Sequence, residues 1–239
     1  MNAILGFLAK IIGYPMTWIY DLTGNYAVSI ILLTIVIRGL MIPLYFKQIE
    51  QSQKMAEMQT QVEEIKQRYA RDQQKMNEKL NELYSQNGIS NFSGCLPLLI
   101  QFPIIMGLYE LLRNPLVHMT SPAMLAAVHE SFLWVPDLSQ PDSWILPILA
   151  GLTTFLQTYF STKGQDQSTA GAMKGMTYFM PLMIFLLGRS FASGLALYWV
   201  IGNLVMIAQT VIMNKMKAKK NLQKQAQAEI EKRQKQANK

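Results

Sequence analysis

Five stretches of the chain run apolar for about the length of a membrane crossing, and the polar segments between them carry helical spacing. A hydrocarbon core about 30 Å thick takes about 20 helical residues. Tyr26 to Phe46, Cys95 to Leu112, Trp144 to Phe160, Met176 to Phe191 and Leu195 to Met213 reach or approach that length. The last two are separated only by the turn Ala192-Ser193-Gly194, which predicts a tight hairpin between them. The pattern as a whole predicts an all-α membrane protein with five transmembrane helices.

Residues 1–22 follow another pattern. Asn2, Gly6, Ala9, Lys10, Gly13 and Thr17 recur every three or four positions among Ile, Leu, Phe, Met, Trp and Tyr. That spacing predicts an amphipathic helix lying in the outer membrane interface. A basic start followed by an apolar core and a small-residue cleavage site is lacking here, so no cleavable signal is expected. An uncleaved sixth span is the alternative, and it would upset the orientation argued below.

The segment after the first span is rich in Gln, Glu, Lys and Met and free of Gly and Pro from Lys47 to Tyr84. Met55, Met58, Val62, Ile65 and Tyr69 form one apolar stripe, Asp72 interrupts it, and Met76, Leu80 and Leu83 resume it. Two antiparallel helices turning near Arg71–Gln73 are predicted, with Asn87-Gly88 ending the second. The chain thus divides into an interfacial helix (1–22), a first span (23–46), a helical hairpin (47–93), the other four spans (94–213) and a basic tail (214–239).

Composition agrees with this reading. Half of the 239 residues are apolar and only 15% are charged, well below the quarter usual in soluble domains. Lysine and arginine fix the orientation. With the N-terminus outside, eighteen bases fall on the inner side and only Lys10, Arg113 and Arg189 on the outer. The chain is therefore expected to lie N-out and C-in as a multi-pass membrane protein. Acids and bases balance in the hairpin, seven against seven, which describes a solvated element. The tail is unbalanced, with nine bases against Glu229 and Glu231. Two readings fit it: a solvated tail that sets topology or meets anionic lipid, and a contact to ribosomal RNA through its phosphates. A single cysteine, Cys95, excludes an intrachain disulfide. Two histidines, His118 and His129, in a predicted loop do not suggest zinc. Nucleotide loops, nucleophilic triads and paired carboxylates are lacking, so no enzyme activity, metal or cofactor is expected.

Arg38 is the position that demands explanation. It stands about 12 Å of helix away from Lys47, too deep in the first span to snorkel to the surface. A central arginine costs at least about 2.5–3.5 kcal/mol to insert. The nearest acids, Asp21 and Glu110, lie at other depths, so a buried ion pair lacks its partner and a water-filled cavity fits better. Gln101, Thr153, Gln157, Asn203 and Gln209 are polar groups within other spans, and Trp199, Asn203 and Thr210 share a face of the fifth. Singly, each fits interhelical packing as well as groove lining. A methionine row, Met173, Met176, Met180 and Met183, suits either bundle packing or an adaptable apolar surface.

These residues in this order resemble the YidC/Oxa/Alb family of membrane protein insertases. The resemblance rests on the run from Ile35 to Pro43 around Arg38, the charged hairpin, and the run from Leu96 to Tyr109 containing Gln101 and Pro103. Ile145 to Gly151, and Gly194 to Asn203 with Trp199, complete it. It covers about residues 25–215, and the short chain is similar to the Gram-positive type. It implies a five-helix core with a hydrophilic groove open to the cytoplasm and to lipid, lined at Arg38, Gln101 and Trp199, with Asn203 and Gln157 as further candidates. The implied role is insertion and folding of nascent membrane proteins by a monomer, alone or beside the Sec translocon. The ribosome, reached through the basic tail, is a further implied partner. Many Gram-positive relatives begin with an acylated cysteine, and this sequence has no cysteine before Cys95. Two other readings compete. An anion transporter would use Arg38 as its ligand, although no internal repeat supports it. A scaffold acting through the hairpin leaves Arg38 unexplained.

Overall fold

The computed structural model describes residues 2–88, 96–114, 122–162 and 170–237. The expected all-α class holds: among the described residues there are ten helices, and the only β pairing is an isolated bridge between Phe132 and Val135. Cys95 and His118 lie outside the described residues.

Helix α1 (Asn2–Thr23) packs along α6 (Leu96–Arg113) and against α2 (Tyr26–Leu40). Ala9, Ile12, Met16 and Ile19 are buried, at steps of three and four. The opposite row, Phe7, Ile11, Tyr14, Trp18 and Leu22, is exposed. The small residues of the sequence pattern therefore serve close packing, with Ala9 and Gly13 turned inward and Lys10 outward among the large apolar side chains. The approach is tight: a Cβ on Gly107 of α6 would lie 2.8 Å from Ile12 Cδ1 and 3.2 Å from the Leu8 backbone carbon. Gly24 at φ +61 ends α1, with its N–H donating to Tyr20 O (2.7 Å), and Asn25 Oδ1 caps α2 by accepting from Val28 N (3.0 Å).

Helix α2 bends by 58° into α3 (Ile42–Glu57) across Met41. Pro43 stands in the first turn of α3, where its missing N–H removes an i→i−4 bond back to α2. Helices α4 (Gln59–Arg68) and α5 (Gln73–Gln86) are in contact and are joined by a turn at 69–72, where Asp72 Oδ1 accepts from Lys75 N (3.0 Å). The expected continuous first arm of the hairpin is divided at Met58, which is buried together with Val62. Gly88, at φ +64, follows α5 as the Asn87-Gly88 signal predicts.

Helix α7 (Pro122–Ala127) opens a loop that runs to α8 (Ile145–Thr162) and that the sequence analysis expects on the outer side. Helix α9 (Ala170–Gly188) and α10 (Ser193–Ala237) follow. The tight α9–α10 hairpin expected from the short connection is not the packing found. Both helices lie chiefly on α8. Glycines allow the α8–α9 approach: a Cβ on Gly151 would lie 3.2 Å from Pro181 O, and one on Gly188 would lie 3.3 Å from Pro147 Cα. The other side of α8 presents Thr153 and Thr154 to α10. The expected boundary between fifth span and tail is also not a structural break. No Gly or Pro interrupts the chain after Gly202, so α10 continues as one helix through the basic segment.

By length and apolarity, the described residues contain one helix able to cross a membrane, Ser193–Met216, or two when the bent α2–α3 pair counts as one span. Ile145–Ser161 and Thr177–Gly188 are apolar but shorter. The sequence suggested five such helices. The deficit arises because the apolar runs are divided by a bend at Met41 or adjoin residues 89–95 and 163–169, which are not described.

Candidate functional site

Helix α10 is the common wall of two polar clusters. Its residues Tyr198, Gly202 and Gln209 fall on one face, while Trp199 and Asn203 fall about 100° away, on the side of α8. The two clusters are separate, so the structure divides the set of residues that the sequence grouped.

The first cluster surrounds Arg38. This side chain leaves the last turn of α2 and is 8% exposed, and its Nε has no hydrogen-bond partner. No ion pair among the described residues involves it; those present lie on the hairpin and in the outer loop. The guanidinium rests over Gly202, where a Cβ would stand 2.8 Å from its terminal nitrogen and 3.3 Å from Nε. Gln101 of α6 donates from Nε2 to the hydroxyl of Tyr198 (2.8 Å), which is within electrostatic reach of Arg38. Gln209 donates from Nε2 to the carbonyl oxygen of Arg38 (3.2 Å), which lies at the bend. Arg38 and Gln101 thus meet the same face of α10, through Gly202 and Tyr198 respectively.

The second cluster is built on α8. Trp199 donates from its indole to Thr154 Oγ1 (3.0 Å), and Asn203 donates from Nδ2 to Thr154 Oγ1 (2.9 Å) and Thr153 Oγ1 (3.2 Å). Here Asn203 and Trp199 hold α10 to α8, which is the packing alternative for these two. Gln157 is one turn further along α8 and donates to Ser161 Oγ (3.0 Å), apart from both clusters. Thr210 pairs with the Tyr45 hydroxyl of α3 (2.7 Å) instead of joining Trp199 and Asn203. In the methionine row, Met180 and Met183 are half-buried, and the side chains of Met173 and Met176 fall outside the described set.

The end of the bundle that carries the 122–144 loop is closed by packing that the sequence did not reveal. Ala127, Val128, Val135 and Leu138 of this loop are buried against the α1, α2 and α10 ends. Glu130 ties them: Oε1 accepts from the Tyr20 hydroxyl (2.6 Å) and Oε2 from Tyr26 N (2.7 Å), at the α2 N-terminus. The bond to Glu130, then burial, push the Tyr20 hydroxyl up to about 12. Ser193 Oγ and Gly194 N donate to the carbonyls of Gln140 (2.6 Å) and Leu138 (2.9 Å). At Asp142, burial would raise the carboxyl, but hydrogen bonds from Leu146 N and the Trp134 indole outweigh it and hold the group below its ordinary value. His129, Asp137 and Ser139 also cluster in this loop, but Ser139 and Asp137 both meet the same ring nitrogen, Nδ1, so no proton relay runs through the imidazole.

The chain has the features of known proteins across nearly its whole length. Residues 18–221 match the family described as the 60Kd inner membrane protein. The chain is 38% identical over 237 residues to the membrane protein insertase YidC 2 of Listeria innocua, covering 95% of this chain and 79% of that one. The chain belongs to the YidC family of membrane protein insertases. It is also 38% identical to the insertase MisCA of Bacillus subtilis, over 90% of this chain and 82% of that protein. A crystal structure of an active YidC insertase with its first transmembrane domain resolved is similar at a TM-score of 0.63 and 31% identity. That match covers 87% of this chain and 45% of the longer insertase. YidC-family proteins are bacterial membrane proteins that act on nascent membrane proteins without covalent catalysis, and they work in contact with lipid.

Proposed function

We propose that this YidC-family chain inserts nascent membrane proteins by drawing their acidic extracytoplasmic tails toward Arg38 and hydrating them there. The observation that carries this reading is a buried guanidinium with no carboxylate partner among the described residues and an unsatisfied Nε. A buried, unpaired polar group costs about 1–3 kcal/mol, more for a charge, so the site gains by meeting an anion. Five spans arranged N-out and C-in set Arg38 toward the inner half of the bilayer. The hydrophilic groove between α2, α6 and α10 opens to the cytoplasm and to lipid. The closed outer loop supports this one-sided opening. Gln101 lines the groove beside Arg38, and Trp199, Asn203 and Gln157 extend its polar surface along α8. The substrate's apolar helix then leaves into lipid, driven by burial away from water.

Helix α1 acts as an interfacial element. Its exposed apolar row suits lipid, and Lys10 in mid-helix on that exposed side opposes a full crossing, because a lipid-facing lysine at mid-depth is costly. The hairpin α4–α5 receives the substrate on the cytoplasmic side. The basic extension of α10 reaches toward the ribosome, and the protein works as a monomer, alone or beside the Sec translocon.

The test is insertion of a single-span substrate with an acidic tail into membranes carrying Arg38→Ala. Insertion should fall about tenfold, as loss of a charge-assisted contact predicts, while a neutral-tailed version enters normally. Arg38→Lys should retain more activity than the alanine variant, since it keeps the charge. Normal entry of the acidic tail past Arg38→Ala would sink the electrostatic reading. In a Cys95-free background, a cysteine at position 38 should react with a water-soluble label from the cytoplasmic side.

A further inference from the structure

Gly202 lies where the proposed site is most exacting. It is buried in mid-helix on α10, and its glycine identity serves no turn: its φ lies outside the left-handed region and the helix runs straight through it. A glycine at such a place weakens a helix by about 1 kcal/mol relative to alanine. What occupies the vacated space is the guanidinium of Arg38. A Cβ there would lie 2.8 Å from one terminal nitrogen, 3.3 Å from Nε and 3.5 Å from Cζ, so all of its three nearest atoms belong to that one group. The flat guanidinium therefore lies on the helix backbone at a distance that only glycine permits.

We infer that Gly202 is a positioning residue for Arg38: the missing side chain forms a seat on α10 that fixes the guanidinium's depth and the direction of its free N–H groups. This rests on the reading of Arg38 as the substrate-facing charge. The seat is completed at the backbone by Gln209, whose amide donates to Arg38 O (3.2 Å) two turns further along the same face. One helix thus holds both the main chain and the head group of the arginine, with no carboxylate among the described residues to neutralise it. A carboxylate would hold Arg38 equally well but would also occupy the charge meant for substrate. A bare backbone surface orients the group and leaves its charge available. The clash that an added methyl would create is with the far end of a flexible side chain, so the arginine would move and the bundle would not. The effect is on placement, and stability is largely spared.

The experiment compares Gly202→Ala, Arg38→Lys, Arg38→Ala and the double variant Gly202→Ala/Arg38→Lys in the full chain. The probes are two single-span substrates that differ only in whether the tail carries aspartates or asparagines. Gly202→Ala should lower insertion of the acidic-tailed substrate about fivefold or more and leave the neutral-tailed one unchanged, with the melting midpoint in detergent within about 2 °C of wild type. In the Arg38→Lys background the same alanine should add nothing, because lysine is one atom shorter and has no planar fork to displace. Equal loss on both substrates, equal loss in both backgrounds, or no loss at all would each overturn the seat. If Arg38→Ala itself leaves acidic-tail insertion normal, the fault lies in the reading of Arg38 and not in the role given to Gly202.

Discussion

Single residues differ in what they disclose before a fold is known. Arg38 is legible because a charge in hydrocarbon carries a cost that no other feature of the first span offsets. Its neighbours are silent: Gly202 looks like a packing glycine, and Tyr198 like an aromatic of the bundle, until α10 sets both beside the guanidinium. Trp199 and Asn203 face elsewhere, since adjacent numbers on a helix point about 100° apart and these two meet Thr153 and Thr154 while Gly202 meets Arg38. Glu130 is the least legible of all, because its partners Tyr20 and Tyr26 are more than one hundred positions away in the chain. Glu130→Ala would leave the Tyr20 hydroxyl and the Tyr26 N–H without this acceptor. We expect a loss of about 1–3 kcal/mol, seen as a lowered melting midpoint in detergent. The bond also has a pH signature. Tyr20 is raised from its ordinary 10.0 to about 12, so the stabilisation is fully present below pH 10 and is lost as pH rises through 12. The wild type should therefore lose its advantage over Glu130→Ala across that window, and a constant advantage would show that the contact is not the cause.

Elements were legible where their signals are local. The break near Asp72 and the Gly88 stop both follow from a few adjacent residues. The division of α2 from α3 is half legible: Pro43 announces a weakened helix, but not what holds the 58° bend. Two consecutive residues of α10 hold it. Gln209 takes the carbonyl of Arg38 on one limb, and Thr210 takes the hydroxyl of Tyr45 on the other. The bend and the arginine are thereby fixed by the same two turns of one helix. Tyr45→Phe releases the α3 limb while leaving the ring in place. Spin labels on α2 and α3 should then report a broader spread of distances, at a stability cost of about 1 kcal/mol. An unchanged distance distribution would mean that Pro43 and packing alone set the bend. The error in the expected α9–α10 hairpin has a related origin. A short connection implies adjacency, but the small faces of Gly151 and Gly188 draw α9 onto α8 instead.

At the scale of the molecule, the structure separates a packed bundle from an appendage. The main apolar core joins α1, α2, α6, the outer loop and the start of α10, and a smaller one joins α8, α9 and α10. Neither includes α4 or α5, which pack chiefly on each other and reach the bundle through α3. The surface of the pair carries its ion pairs in exposed positions, where solvent screens them and they contribute little, so its stability rests on the short stripe around Met58 and Val62. Removing residues 59–86 and closing the gap with a flexible linker should then leave the bundle folded, with its main melting transition within about 3 °C of wild type. Function should respond differently. If the hairpin receives substrate before Arg38 does, the deletion lowers insertion of acidic-tailed and neutral-tailed substrates by the same factor, because capture precedes the electrostatic step. Arg38→Ala affects only the acidic one. Two lesions with different substrate dependence, and a double variant whose losses multiply on the acidic tail, would order the steps as hairpin first and arginine second. Full activity after the deletion would remove the hairpin from the path while leaving the charge at position 38 to be judged by its own test.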